Sequence, residues 1–229
     1  MKAPTHSFEM LRDPKAAAVL MRLHHDANRQ NGSLVRRFLP HLPRLLARRP
    51  LRWSRLEPRL SDLYLAVDPS NGALCYLLAR MLRARNVVEF GTSFGVSTIY
   101  LALAVRDNGG GRVIGTERIP QKAARARANI EEAGLGAFVE IREGDALETL
   151  RDVPGPVDFL LNDGFPAFTL PILQIVAPHM RPGAVALCGN AALFPADHAE
   201  YVQWVRDRAN GFCSMQLPLR LAGELSVKT

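Results

Sequence analysis

The chain has 229 residues, 48% hydrophobic and 22% charged, a length that suits one ordinary domain with an extension and argues against two full domains. No run approaches the roughly eighteen consecutive apolar residues that a membrane span needs, so a soluble globular protein with no membrane partner is expected. The formal charge is +7, but residues 1–60 hold thirteen Lys or Arg against four Asp or Glu, so the basic character belongs to the N-terminal quarter.

In chain order, Met1 to Ser7 show no apolar core followed by a small-residue cleavage site, and a cytoplasmic location is expected. Asp13-Pro14 reads as a helix cap with proline in the first position, and Asn31-Gly32 as the stop. Between Leu34 and Leu65, Pro40, Pro43, Pro50 and Pro58 break a Leu- and Arg-rich stretch into short helices and turns. Residues 1–65 are therefore expected to form a helical, Arg-rich cap, whose leucines suggest a homodimer through these helices. Arg36, Arg37, Arg44, Arg48, Arg49, Arg52, Arg55 and Arg59 make either a solvated face or an anion-binding surface. Only Trp53 and Phe38 could stack on bases there, which speaks against nucleic acid.

From Asp68 onward, strands and helices alternate. A helix over Ala73 to Leu82 precedes strands at Val87–Phe90, Arg112–Thr116, Val139–Glu143, Val157–Asn162 and Val185–Cys188. Pro120 opens a helix that Gly134 closes, Pro171 opens one that ends at Arg181-Pro182-Gly183, and another runs from Asp197 to Ala209. Two last strands, Ser214–Leu217 and Glu224–Lys228, flank a Pro- and Gly-containing turn and predict an antiparallel hairpin at the sheet edge. The fold class is α/β, a doubly wound, mostly parallel sheet over residues 66–229. Cys75, Cys188 and Cys213 are odd in number and set among apolar neighbours, as reduced core thiols are.

The chemistry concentrates at predicted strand ends. Val88 to Thr98 runs from a buried strand through a glycine turn into a helix, exposing backbone N–H groups to a carboxylate or phosphate, with the Ser97 hydroxyl beside them. The spacing is Gly-x-x-x-Gly, so the dinucleotide fingerprint is missing and an NAD-type dehydrogenase is disfavoured. One βαβ step later, Glu117 can accept the two ribose hydroxyls of a nucleoside, and Asp145 in Glu143-Gly144-Asp145-Ala146 can accept an adenine amino group. Each carboxylate alone could be an exposed loop charge, but three elements in register are harder to dismiss.

The strings EFGTSFGVST, GTE, EGDA, VDFLLNDG, RPGAVALCGN and ELSVKT, in this order over about residues 65–229, resemble the class I S-adenosylmethionine-dependent O-methyltransferases of the catechol and caffeoyl-coenzyme-A branch. The resemblance implies a Rossmann-like seven-stranded sheet whose final hairpin inserts one antiparallel strand. It implies that Glu89, Gly91, Thr92, Ser93, Gly95 and Ser97 serve the methionine moiety, Glu117 the ribose, Asp145 and Ala146 the adenine side, and Asp163 the reacting end. In that branch an Asp and an Asp-Asn pair hold magnesium. Asp163 and Asn190 match its first and last ligands, whereas Gly189 stands at the middle one and Pro166 at a lysine position. Losing a carboxylate leaves a hard cation too little charge, so no metal is expected and proton removal falls to Asp163 or to a histidine, with His24, His25 and His198 the candidates and His24 the choice. Asp163 could instead only cap a helix, and His24 could be a packed histidine.

Phe165, Phe168, Leu193 and Phe194 either wall an aromatic acceptor or belong to the core. The expected function is O-methylation of a small aromatic or polyketide-like molecule. The alternative is a non-catalytic binding module on the same fold, its Arg-rich N-terminus touching nucleic acid or an acidic partner.

Overall fold

The computed structural model describes residues 10–60, 62–218 and 223–229. Asp13 caps α1 (Pro14–Arg29) by accepting the Ala16 amide at 2.9 Å. Ala16, Val19, Leu20 and Leu23 recur at helical spacing and are buried. The expected stop at Asn31-Gly32 is corrected: the chain breaks one residue earlier, at Gln30, whose side chain accepts the Tyr64 amide, and Asn31 opens α2 (Asn31–Phe38). The prolines then cut the chain into α3 (Leu42–Leu46) and α4 (Trp53–Leu60). Asp68 caps α5 (Pro69–Met81), accepting the amides of Ser70 and Asn71.

The body is β1 (Asn86–Phe90), α6 (Val96–Asp107), β2 (Arg112–Glu117), α7 (Pro120–Glu132), β3 (Val139–Glu143), α8 (Ala146–Thr149), β4 (Val157–Asn162), α9 (Pro166–Val176), β5 (Met180–Cys188), α10 (Ala199–Arg206), β6 (Phe212–Gln216) and β7 (Glu224–Lys228). One seven-stranded sheet runs in the order β3-β2-β1-β4-β5-β7-β6, with β1 to β5 parallel and β7 antiparallel to both neighbours. This is a Rossmann-like, doubly wound sheet, and its order reverses between β1 and β4.

Both faces are covered, which is why the central strands read as continuous apolar runs. Val87, Val113, Phe159, Leu161, Val185 and Leu187 face one core with α1, α5, α6 and α7, while Val88, Ile114, Leu160, Ala186 and Cys188 face the other with α8, α9 and α10. Helix α6 is apolar all round because α1 and α5 cover the side that the sheet does not. A third, small cluster of Leu51, Leu56, Leu60 and Leu63 lies with Phe165 and Phe194 over the strand ends.

Three further expectations are corrected. Helix α9 starts at Pro166, and Pro171 lies inside it, giving up one backbone donor. Arg181-Pro182-Gly183 belongs to the irregular start of β5, where the register with β4 shifts. The hairpin inserts β7 antiparallel between β5 and β6, as the family resemblance implies, but Cys213 on the edge strand β6 is exposed and is no core thiol; the turn between the two strands includes residues 219–222, outside the described residues.

Gly72 in α5 lies directly against the fully buried Tyr100 ring. Helix propensity favours alanine there by about 1 kcal/mol, but forcing a methyl group into a packed ring costs about 1–3 kcal/mol. Crowding wins. Gly72→Ala is expected to lower the unfolding free energy in urea by about 1 kcal/mol, and a stabilised variant would show that the ring yields freely.

Candidate active site at the carboxyl edge of the sheet

Strand pairing brings the predicted residues to one edge: Phe90 lies beside Thr116 and Asn162, and Glu117 beside Glu143, so the residues that follow these positions share a crevice. There a cavity of about 640 Å³ opens at the strand ends under the N-terminal helices. Gly91, Ser93, Glu117, Asp145, Ala146, Asp163 and His24 line it. Thr92 and Ser97 line a small recess beside it, with Gly91, Ser93 and Asp163. Glu89 and Gly95 reach neither.

The glycine turn explains the division. Gly91 (φ 101°), Ser93 (φ 51°) and Gly95 (φ 85°) take left-handed conformations, and the Gly95 amide closes on the Thr92 carbonyl at 2.8 Å. Beneath the turn, the buried Glu89 Oε2 accepts the hydroxyls of Thr92 at 2.8 Å and Thr98 at 2.5 Å. Burial pushes its pKa up against hydrogen bonds from Ser97, Thr98 and Thr92 that favour the charge. Glu89 braces the turn from below.

Glu117 is aimed by two backbone donors, Ser93 N–H to Oε2 at 2.9 Å and Ile119 N–H to Oε1 at 2.8 Å. Asp145 caps α8 through the Leu147 amide at 2.9 Å, and the Gly144 amide bonds the Glu117 carbonyl at 3.1 Å, which ties the second and third strand ends together.

Asp163 follows β4, its amide bonded to the Phe90 carbonyl at 3.0 Å. Burial, reinforced by the charge of Glu89, lifts its carboxyl to about 7. Gly189 supplies the space: a Cβ there would stand 2.5 Å from Asp163 Oδ1. The neighbouring Asn190 has a buried Oδ1 with no protein partner among the described residues, and its Nδ2 reaches the Gly164 carbonyl at 3.4 Å. Among the described residues no group of three or more His, Cys, Asp or Glu side chains is placed to hold a metal ion. One carboxylate and one amide do not fit the hard divalent cation that the family resemblance implies.

His24 faces the cavity from α1, with Nε2 3.3 Å from the Tyr100 hydroxyl. Burial depresses it to about 4, against the opposing charge of Asp68. The other histidine candidates stand elsewhere. His25 is exposed, and His198 is buried away from the cavity with Nδ1 3.0 Å from the Phe194 carbonyl.

Part of the cavity wall is aromatic. Phe165, Phe168, Leu193 and Phe194 all line the cavity, joined by Phe38 and Trp53 from the N-terminal helices. The Trp53 ring meets Phe194 edge-on at 5.0 Å and Phe165 at 5.8 Å, while Phe38 stacks on Phe194 at 6.0 Å. Asp197 Oδ1 accepts both the Trp53 indole N–H at 2.8 Å and the Leu51 amide at 2.7 Å. Sequence reasoning missed Asp197 and the inward turn of Trp53 and Phe38, for which the only local signal was an aromatic pair in a Leu-Arg background. Tyr64 stacks on Phe94 at 3.7 Å, a second seam between N-terminal segment and glycine turn.

Residues 88–191 match the family described as methyltransferase domain. Proteins named as O-methyltransferases are among those the chain is similar to. It is 35% identical over 130 residues to a catechol O-methyltransferase of Niastella koreensis, covering 55% of this chain and 58% of that one, and 36% identical over 127 residues to a catechol O-methyltransferase of Mycobacterium tuberculosis, covering 55% and 57%. The match thus spans little more than half the length of these relatives. Among solved structures, the chain is similar to an O-methyltransferase from Bacillus cereus in complex with SAH (TM-score 0.64, 26% identity, 72% of this chain and 83% of that one). It is also similar to TomG from Streptomyces achromogenes in complex with SAM, an O-methyltransferase involved in tomaymycin synthesis (TM-score 0.65, 27% identity, 75% and 85%).

The Asp163 carboxyl has a folded-state pKa above its unfolded one, so its contribution to stability is present below about pH 4 and lost as the pH rises through 7. Asp163→Asn is therefore expected to stabilise the protein at pH 8, by about 2 kcal/mol once water in the cavity has screened part of the effect, and by nothing at pH 4. Equal melting shifts at both pH values would show that the carboxylate is freely solvated.

Proposed function

We propose that this chain transfers the methyl group of S-adenosylmethionine to a hydroxyl of a small aromatic or polyketide-like molecule. The observation that carries the reading is one cavity lined by Ser93, Glu117, Asp145 and Asp163 together with the aromatic side chains Phe38, Trp53, Phe165 and Phe194. In this reading residues 66–229 bind the cofactor, and residues 1–65 form a cap over the acceptor.

When bound, the cofactor supplies an electrophilic methyl group on a sulfonium. The chain's part is to align and to deprotonate. The glycine turn offers backbone donors to the methionine end, helped by Thr92 and Ser97 in the side recess, while Glu117 accepts the ribose hydroxyls and Asp145, beside Ala146, the adenine amine. Asp163 would orient the acceptor hydroxyl and take its proton as that oxygen receives the methyl group, and the aromatic wall would exclude water. Between the two candidate bases, a group near 7 removes a proton at neutral pH far better than one near 4, so Asp163 is the base and His24 a hydrogen-bonding contact. No step runs through a metal. The reading also carries a cytoplasmic location, no nucleic-acid partner, and pairing of two copies through the exposed Leu39, Leu42 and Leu46. No helix among the described residues is long and apolar enough to cross a membrane.

Glu117→Ala is expected to weaken S-adenosylmethionine binding in calorimetry by about 1–3 kcal/mol through loss of a charged acceptor; unchanged affinity would place the ribose elsewhere. With a phenolic acceptor, Asp163→Asn should lower turnover about 100-fold or more, with a far smaller effect on cofactor affinity. Turnover of the unaltered chain should be the same with a chelator as with magnesium, and metal-dependent activity would remove Asp163 from the role of sole base.

A further inference from the structure

Beside the cavity lies a second hollow, a groove of about 400 Å³ on the outer surface between α2, the end of α3 and the loop that follows β5. Leu34, Phe38, Leu193 and Phe194 line both, so cavity and groove meet at the aromatic wall. The groove's other walls are apolar, among them Val35 and Leu45, and Val35 and Leu193 are 64% and 55% exposed. At its rim stand two exposed guanidinium groups, Arg48 and Arg49. Its one acidic residue, Asp197, has Oδ1 engaged by the Leu51 amide and the Trp53 indole. An apolar trough that shares the Leu34, Phe38, Leu193 and Phe194 wall with the cavity and carries two cations at its rim suits an amphiphile, apolar along its length and anionic at its tip.

Resting on the methyltransferase reading above, we infer that the acceptor is a phenol with an extended apolar side chain that leaves the cavity past Phe38 and Phe194, lies in this groove and ends in an anionic group at Arg48 and Arg49. The ring sits against Trp53 and Phe165, with its hydroxyl at Asp163. The tail supplies binding that a bare phenol lacks.

The test uses a homologous series of ω-(4-hydroxyphenyl)alkanoates, from about two to about ten methylenes, and the methyl esters of the same chains. Both are titrated into the full chain, and S-adenosylmethionine is titrated separately. Affinity for the acids should rise about twofold per methylene, half-exposed burial giving less than the roughly fourfold of a fully buried one. The longest acid should bind about tenfold more tightly than its ester, and Arg48→Ala/Arg49→Ala should remove that preference while keeping the dependence on length. Affinity independent of length overturns the inference, whether the groove stays empty or a second copy of the chain fills it. So does an acid preference that survives in the double variant. Failure of S-adenosylmethionine to bind while the length series holds would instead sink the methyltransferase reading and leave an amphiphile-binding groove.

Discussion

The whole site depends on how closely the ends of β1, β4 and β5 approach one another. Asp163 hangs its amide on the Phe90 carbonyl, a Cβ on Gly91 would come within 2.9 Å of the Gly164 backbone, and one on Gly189 within 2.5 Å of Asp163 Oδ1. The ends of β1 and β4 are thus packed to backbone distance, and the end of β5 is packed against the Asp163 carboxyl, which larger side chains at the two glycines would not allow. The approach fixes the acidic group relative to the glycine turn, and it also excludes a second carboxylate from beside the first. The same glycine that departs from the branch's metal pattern is what lets Asp163 sit where it does.

Electrostatically, the site keeps its charges apart by environment. Glu89, its pKa also raised by burial, lies sealed beneath the turn, Glu117 is tethered by two amides, and Asp163 is lifted to about 7 while lining the cavity. The contrast with His24 follows from the same burial acting on groups of opposite sign. Desolvation raises a carboxyl and lowers an imidazole, and here it brings the carboxyl into the useful range while taking the histidine out of it.

Most of the sheet was legible in the sequence because its signals are local. Val139–Glu143, Val157–Asn162 and Glu224–Lys228 coincide with the observed strands, and Gly91, Ser93, Glu117, Asp145 and Asp163 could be placed on one edge once the strand-helix alternation was read. What could not be read depends on partners distant in the chain. The hairpin pattern by itself specifies only the pair, and the insertion of β7 between β5 and β6 was implied by the family resemblance alone. Pro171 looks like a helix start until Pro166 takes that place. Glu89 looks like a ligand-facing carboxylate, yet its strand position turns it inward onto Thr92 and Thr98. Trp53 and Phe38 gain meaning only from Phe165 and Phe194, more than a hundred residues later.

Asp197 offers a last consequence. It lies seven residues beyond Asn190, on the loop that leaves the floor of the cavity, and with a single oxygen it holds Leu51 and Trp53, which form part of the roof. Roof and floor are therefore hung from the same short piece of chain. The height of the cavity at this end is therefore set by one carboxylate oxygen, and the indole and the Asn190 amide are held in register with each other by seven residues of chain.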